Sequence, residues 1–241
     1  MSVPAFLAAC TFAASVPLAF AAPFAYVPNE GSSTLSVIDT ATDQVVAEIP
    51  AGKKPRGTVI SLDGRTAYVS DQPNNQLVRI DLVARKQVGT IPLGESPEGV
   101  GISPDGRWLA VAVEESNDVA FVNTRTNRKT FVVKVRGKNP EHAVFTPDGR
   151  HVFVSAEEGE AVNVIDFAKR VEVKQIPVGD RPRGIGISRD SARAYAVSTN
   201  VYEAADEAAL RLKEIVQQLD LNTLTPIECM LKLHELKRLS E

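Results

Sequence analysis

Cysteine and histidine are scarce in this sequence, and their scarcity argues against several kinds of site. The chain has two cysteines, Cys10 and Cys229, and three histidines among 241 residues. His142, His151 and His234 fall at unrelated places, so they do not supply the three or four ligands that a metal centre needs. If the N-terminal segment is removed, one cysteine remains and no intramolecular disulfide is possible. We therefore expect no metal ion.

The sequence also lacks an excess of charge of either sign and lacks catalytic motifs. Its 27 basic and 30 acidic side chains give a net charge of −3, so no dedicated nucleic-acid surface is predicted. We find no Gly-x-x-x-x-Gly-Lys-Ser/Thr phosphate loop, no Ser-His-Asp order and no paired catalytic carboxylates. Beyond the N-terminal segment, no stretch is long and apolar enough to span a membrane. The sequence therefore predicts neither catalysis, nor a cofactor, nor a membrane span.

Residues 1–22 contain no charged side chain and are typical of a signal peptide. Small residues at Ala19 and Ala21 fit a signal-peptidase site that cuts after Ala21 or Ala22, although no Lys or Arg lies near Met1. Export to the periplasm or the exterior follows. A lipoprotein motif ending at Cys10 and a buried N-terminal segment are the alternatives.

The dominant feature of the sequence is a turn that recurs along the chain. In its clearest copy Pro104 presets its own φ, Asp105 bonds across the turn and Gly106 accepts φ > 0. The copies are Leu62-Asp63-Gly64-Arg65, Pro104-Asp105-Gly106-Arg107, Pro147-Asp148-Gly149-Arg150 and a decayed Arg189-Asp190-Ser191-Ala192. The prolines that precede them are 42, 43 and 42 residues apart: Pro55, Pro97, Pro140 and Pro182. Four short strands in each period of roughly 40–45 residues predict the blades of a β-propeller.

The predicted fold is an all-β propeller of about four and a half four-stranded blades over residues 23–199, followed by a C-terminal α-helical hairpin. Three strands of a first blade occupy residues 24–52. Further blades occupy 57–94, 99–136 and 142–179, and a fifth begins at Gly184 and fades after Ser198. Because blades stack on the apolar faces of their strands, the uncovered faces and edges of a partial ring favour self-association or a partner.

The repeats resemble the YVTN family of β-propeller proteins, and Tyr26-Val27-Pro28-Asn29 is a near match to the signature of that family. The resemblance covers residues from Phe24 to about Thr199. It implies a ring of about seven blades, as family members commonly have. With fewer blades here, either another chain completes the ring or the gene product is truncated or chimeric.

After Asn200 the sequence becomes helical in character. Residues 203–219 read as an amphipathic helix, and Thr225-Pro226-Ile227-Glu228 is a capping box that starts a second helix ending near Leu239. The tail, residues 200–241, resembles the C-terminal oligomerisation segment of the mismatch-repair protein MutS, through Leu219-Asp220-Leu221-Asn222-Thr223-Leu224-Thr225-Pro226 and Leu233-His234-Glu235-Leu236-Lys237. The apolar residues predicted to associate are Leu212, Ile215, Leu219, Met230, Leu233 and Leu236.

Charged residues stand at the entry to each predicted innermost strand, where a propeller opens its central channel. They are Arg56, Glu98, Glu141 and Arg183, with His142 next to Glu141 where the other repeats have glycine. Side chains converging there are expected to bind a polar ligand or to hold one another as ion pairs.

Carboxylates also follow the second strand of several blades. They are Asp71, Glu114, Glu115, Glu157 and Glu158. Calcium binding is one interpretation, and solvated loop charge is the interpretation we favour.

The sequence thus predicts an exported propeller that acts as a binding or scaffold module for a protein partner or a small ligand, without catalysis. One alternative is a propeller enzyme or cofactor-handling protein, either lactonase-like or accessory to a quinoprotein or haem d1 system. The other is oligomerisation through the MutS-like tail of a chimeric gene product.

Overall fold

The structure is a computed structural model that describes residues 24–190 and 192–198. Over these residues the chain is nearly all β, with seventeen strands and one short 3-10 helix. The signal peptide predicted for residues 1–22 and the helical tail predicted for 200–241, with its apolar residues from Leu212 to Leu236, lie outside the described residues. Within residues 24–190 and 192–198, no helix is long and apolar enough to cross a membrane.

The strands pair into five antiparallel sheets, and each sheet is one blade. The first three blades are formed by β1 (Phe24–Asn29), β2 (Thr34–Asp39) and β3 (Gln44–Pro50); β4 (Pro55–Ile60), β5 (Thr66–Asp71), β6 (Gln76–Asp81) and β7 (Lys86–Pro92); and β8 (Pro97–Ile102), β9 (Trp108–Val113), β10 (Asp118–Asn123) and β11 (Arg128–Lys134). The last two are formed by β12 (Pro140–Phe145), β13 (His151–Ala156), β14 (Ala161–Asp166) and β15 (Val171–Pro177), and by β16 (Pro182–Ile187) and β17 (Ala194–Ser198). The 3-10 helix spans Gln72–Asn74, between β5 and β6. The predicted propeller is confirmed over the described part of the chain.

The blades stand side by side with β4, β8, β12 and β16 innermost, and each of these strands contacts the next one. Glycine permits this approach. A Cβ on Gly99 would lie 2.6 Å from the carbonyl oxygen of Glu141, and one on Gly57 would lie 2.3 Å from that of Glu98. These distances are too short for any larger residue without movement of the backbone. Glycine is therefore what lets the innermost strands converge.

The repeated turn follows each innermost strand, at the end of the blade away from the start of that strand. In blade 3 the Ser103 hydroxyl donates to Asp105 at 2.6 Å, and the same Asp105 oxygen accepts the backbone N–H of Arg107 at 3.1 Å. Gly106 has φ of 70°, as the sequence predicts for this position. The same hydrogen bonds recur in blades 2 and 4, so local chemistry sets the start of the second strand in these three blades.

The hydrophobic core lies between neighbouring blades. Between blades 3 and 4 it is aromatic: Phe121 stacks on Phe131 with ring centroids 4.6 Å apart, and Trp108 packs edge-on against Phe167 at 5.6 Å. Phe145 completes this group, which we call the aromatic junction. Trp108 is half-buried and packs against the core as part of the aromatic junction.

Candidate functional site

The charged residues predicted at the innermost strands occupy one position in successive blades. Each is the second residue of its strand, after a proline, and so all lie at the same end of the propeller axis. We call Arg56, Glu98, Glu141 and Arg183 the inner arc. With His142 they line a cavity of about 300 Å³ beside the axis. The structure thus brings these five residues together at one cavity.

A second arc of polar side chains surrounds the first. Its four members directly follow β1, β5, β9 and β13, and successive members are 42, 42 and 43 residues apart. We call Glu30, Gln72, Glu114 and Glu157 the outer arc. From the sequence, Glu114 and Glu157 are predicted as loop charges and not as residues at the axis. The repeat period, applied to Glu30 and Gln72 as well, would have identified the arc.

On the side of blades 1 to 3, the two arcs are joined by direct contacts. The Arg56 Nε lies 2.8 Å from a carboxylate oxygen of Glu98, and its Nη1 lies 4.0 Å from Glu30. The Gln72 amide donates to Glu98 at 2.9 Å and to the Ser96 hydroxyl at 2.9 Å. That hydroxyl donates to Glu114 at 2.8 Å. Glu98 is thus held from both arcs.

On the side of blades 4 and 5, Glu157 is the centre of the contacts. One guanidinium nitrogen of Arg183 donates to both of its carboxylate oxygens, at 3.1 and 3.0 Å, and Arg181 pairs with it as well. Arg183 also lies 3.8 Å from Glu141. The predicted ion pairing among inner-arc residues is therefore present, but its strongest partner comes from the outer arc.

Burial sets the protonation of the inner-arc acid in blade 3. Glu98 is only 3% exposed, and this burial raises its pKa to about 7, with the negative charge of Glu114 adding to the rise and Arg56 opposing it. A carboxyl with such a pKa carries its proton for part of the time near neutral pH. It can then donate a hydrogen bond as well as accept one.

In blade 4, the carboxyl groups of Glu141 and Glu157 interact, and their pKa values move in opposite directions. Burial raises the pKa of Glu141 to about 8, helped by the hydrogen bond to Glu157 and the charge of Glu98. The hydrogen bond from Glu141 lowers the pKa of Glu157 to about 2, with Arg183 and Arg181 adding to that effect. At neutral pH the proton therefore resides on Glu141, and Glu157 is the ionised partner.

His142 is exposed to the cavity, unlike its buried neighbour Glu141. The surrounding protein atoms lower its pKa, and the positive charges of Arg183 and Arg56 act in the same direction. A hydrogen bond with the backbone of Arg183 opposes them. The imidazole is therefore neutral at pH 7, and one ring nitrogen has a free lone pair for a ligand or a proton.

The carboxylates of Glu114, Glu141 and Glu157 lie within 4.8 Å of one another, as the ligands of a hard cation would. Among the described residues, this is the one group of acidic, histidine or cysteine side chains that meets so closely. Two features offset its charge: the Glu141 proton and the arginines on Glu157. We assign no ion to it.

The interpretation of the loop carboxylates as solvated charge is wrong for Asp71 and Glu157. Asp71 is fully buried, and its carboxylate accepts the backbone N–H of Lys53 at 2.9 Å and the side-chain amide of Asn74 at 2.7 Å. These bonds tie together two loops that are far apart in the sequence. Glu115 and Glu158 are exposed, as predicted.

Comparison with known proteins supports the fold. The sequence profile of the family described as "Lactonase, 7-bladed beta-propeller" matches residues 17–131. None of the curated proteins matches the chain significantly.

Among solved structures, a hydrazine synthase structure from Kuenenia stuttgartiensis superposes with a TM-score of 0.70 at 18% identity, covering 83% of this chain and 62% of that one. A proposed 6-phosphogluconolactonase from Bacteroides uniformis superposes with a TM-score of 0.64 at 15% identity, covering 75% and 62%. A protein of unknown function from Desulfotomaculum acetoxidans gives 0.62 at 20% identity, covering 72% and 58%. The chain thus spans about three fifths of the length of these structures. At such identities the likeness establishes a β-propeller and nothing about activity.

Proposed function

We propose that this β-propeller protein is a binding module that holds a small hydroxylated anion, of the hydroxy-acid class, in the cavity beside its axis. One observation carries the proposal. Two arginines and two protonatable, buried carboxyls converge there from four different blades. Such a group has no role in the fold of any single blade, because blades 2 to 4 form the same four-stranded sheet with either an arginine or a glutamate at this position.

The arginines supply the recognition of negative charge. The side chains of Arg56 and Arg183 are 28% and 51% exposed, so their acidic partners do not cover them. A guanidinium has five N–H donors in a planar fork, which suits a carboxylate. The donors left open towards the cavity are the ones a ligand would use.

The carboxyls supply the recognition of hydroxyl groups. With pKa values near 7 and 8, Glu98 and Glu141 donate or accept according to their protonation. A ligand hydroxyl can do both, so it can pair with either form. Neutral His142 adds one more acceptor at the rim.

Titration calorimetry with gluconate as the probe tests this function. We expect the Arg56→Ala/Arg183→Ala variant to lose about 10- to 100-fold in affinity, since two charge-assisted contacts are removed. Arg150→Ala is the matched control, because Arg150 is 80% exposed and lies in the turn of blade 4 away from the cavity. Absence of gluconate binding by the wild-type protein, or equal binding by the double variant, would refute the proposal. Global unfolding of the double variant would show instead that the arginines are structural.

Hydrolysis of a lactone is a second candidate function, favoured by the family match over residues 17–131 and by the neutral imidazole at the cavity. His142 would take a proton from water, the water oxygen would bond to the carbonyl carbon, and the ring C–O bond would break. The ring oxygen then takes the proton, and a hydroxy acid results. The guanidinium of Arg183 would stabilise the oxyanion. In this case His142→Ala abolishes turnover of gluconolactone and keeps gluconate binding; turnover by His142→Ala at the wild-type rate would exclude this role.

Export and self-association are further parts of the proposal. Export predicts that the protein recovered from bacterial cells has lost about 21 or 22 residues, which its intact mass would report. Association through the tail predicts that deletion of residues 201–241 lowers the native mass measured by light scattering. An unchanged native mass would exclude the tail as the oligomerisation element and would leave the faces and edges of the blades as the surfaces for self-association.

A further inference from the structure

A second cavity lies between blades 2 and 3, at the end of the molecule where the repeated turns are. Its volume is about 380 Å³, and it is bounded by β5, β6 and the turns of blade 3. It is separate from the cavity at the axis, since the two share no lining residue. We call it the interblade cavity.

The interblade cavity exists because this junction departs from the repeat. Between blades 3 and 4 the equivalent space is filled by Trp108, Phe121 and Phe167. The residues 42 or 43 positions earlier are Thr66, Arg79 and Thr124. Two hydroxyls and a guanidinium thus replace three aromatic side chains on the same backbone, and space is left over.

Arg79 is the most unusual of the three. The equivalent residues of blades 1, 3 and 4 are Val37, Phe121 and Val164. The Nε of Arg79 is buried and has no hydrogen-bond partner, and among the described residues no carboxylate lies within ion-pair distance of its guanidinium. Arg79 as a whole is half-buried, but its buried Nε is an unpaired donor, and a protein seldom keeps such a donor without a partner. An oxyanion in the cavity would supply that partner.

We propose that the interblade cavity binds a small oxyanion, a phosphate or a carboxylate, with the guanidinium of Arg79 as its counter-charge. Arg125 lines the rim and brings a second, exposed guanidinium. The hydroxyls of Tyr68 and Thr66 offer further donors along the wall. The Thr124 hydroxyl donates to the carbonyl oxygen of Gly106 at 2.8 Å, so it offers a ligand only its lone pairs. Blade 2 has Gly89 at the position of Phe131 in blade 3. A Cβ on Gly89 would lie 3.4 Å from the Nη1 of Arg79, so the guanidinium occupies space that Phe131 fills in blade 3.

The acidic residues of the lining limit the charge of the ligand. Asp63 and Asp105 belong to the repeated turns, and each directs one oxygen to its own turn hydroxyl and backbone N–H. These hydrogen bonds lower the pKa of both carboxyls, so both are ionised. They repel a second negative charge and can accept a hydrogen bond from a ligand hydroxyl. A singly charged oxyanion that carries a hydroxyl, such as dihydrogen phosphate or a hydroxy-carboxylate group, fits both ends.

Calorimetry with inorganic phosphate and, separately, with lactate tests the proposal. We expect Arg79→Val to weaken the binding of the anion that the wild type binds by about 10- to 100-fold. Valine stands at this position in blades 1 and 4, so the variant is expected to fold. Arg150→Val is the control for general loss of positive charge at this end of the blades. Binding of phosphate alone, or of lactate alone, identifies the source of the oxyanion.

Two further variants keep the test decisive. Thr124→Leu introduces leucine, the residue that blade 2 has at the equivalent position, Leu82. The larger side chain should fill the cavity and block binding without removing any charge. Lactate belongs to the class proposed for the axial cavity, so the titrations are repeated in the Arg56→Ala/Arg183→Ala background. Binding by the interblade cavity should persist there and should still depend on Arg79, which separates it from the function proposed at the axis. The proposal is overturned if the wild type binds neither probe, if Arg79→Val binds as well as the wild type, or if only the axial double variant loses the anion.

Discussion

Two junctions between blades share one backbone arrangement and differ in what fills them. Between blades 3 and 4, Phe121 and its neighbours form the aromatic junction, and Phe121 is completely buried. Between blades 2 and 3, the equivalent place holds Arg79 and a cavity of about 380 Å³. The blades still pair and stack at both junctions. Elsewhere in the junction between blades 2 and 3, a buried apolar cluster that includes Leu77, Ile91 and Val111 joins the two blades. The difference teaches that this cluster suffices for stacking, so the residue at the position of Arg79 is free to vary.

The largest expected effect comes from breaking the aromatic junction. Phe121→Ala should cost about 3–5 kcal/mol of the free energy of unfolding, because it removes a buried ring and leaves a cavity. Urea unfolding measures this. Val132→Ala is the control: Val132 is 46% exposed on β11, and its loss should cost less than about 0.5 kcal/mol. Equal costs for the two variants would show that this junction does not stabilise the blades.

A smaller effect, a dependence of the free energy of unfolding on pH, is expected from the polar arcs at the axis and not from either junction. The pKa values of Glu98 and Glu141 are raised to about 7 and 8, so their contribution to stability is present below about pH 4.5 and is lost as the pH rises through those values. We expect the free energy of unfolding to fall between pH 5 and 8.5 by an amount on the order of a few kcal/mol. Glu157, with its pKa of about 2, acts in the other direction and loses its contribution only as the pH falls from about 4.5 towards 2.

Urea unfolding at pH 5.5, 7 and 8.5 checks this pH dependence. Glu98→Gln/Glu141→Gln should flatten it, because the amides do not titrate. Glu115→Gln, on an exposed loop position nearby, should retain the slope of the wild type, and so should Phe121→Ala. If the double glutamine variant keeps the full slope, the titrating groups lie elsewhere.

The smallest effect is expected from giving the junction between blades 2 and 3 the valine that blades 1 and 4 have in place of Arg79. In an anion-free buffer, Arg79→Val should change the free energy of unfolding by less than about 1 kcal/mol, since the lost contacts of the side chain are offset by the removal of a buried, unpaired Nε donor. The same urea experiment measures it. A loss above about 2 kcal/mol would mean that Arg79 is itself a structural part of the junction.

Much of the fold could be predicted from the sequence because its signals are local and repeated. The turn around Asp105 and Gly106 needs only neighbouring residues, and its recurrence set the register of every blade. The same register placed Arg56, Glu98, Glu141 and Arg183 at one end of the axis. What it did not reveal was their true partners, since the ion pair of Arg183 with Glu157 joins residues 26 positions apart in different blades.

By itself, the sequence determined the blade period, the strand order, the turns and the position of the inner arc, because each depends on residues within one repeat. Only the tertiary structure decided that Gln72 and Glu157 complete the polar network, that Asp71 is buried, and that Arg79 faces an unfilled space. These features depend on how one blade packs against the next. That packing brings together side chains from different repeats, and their burial and charge exist only once the blades stand side by side.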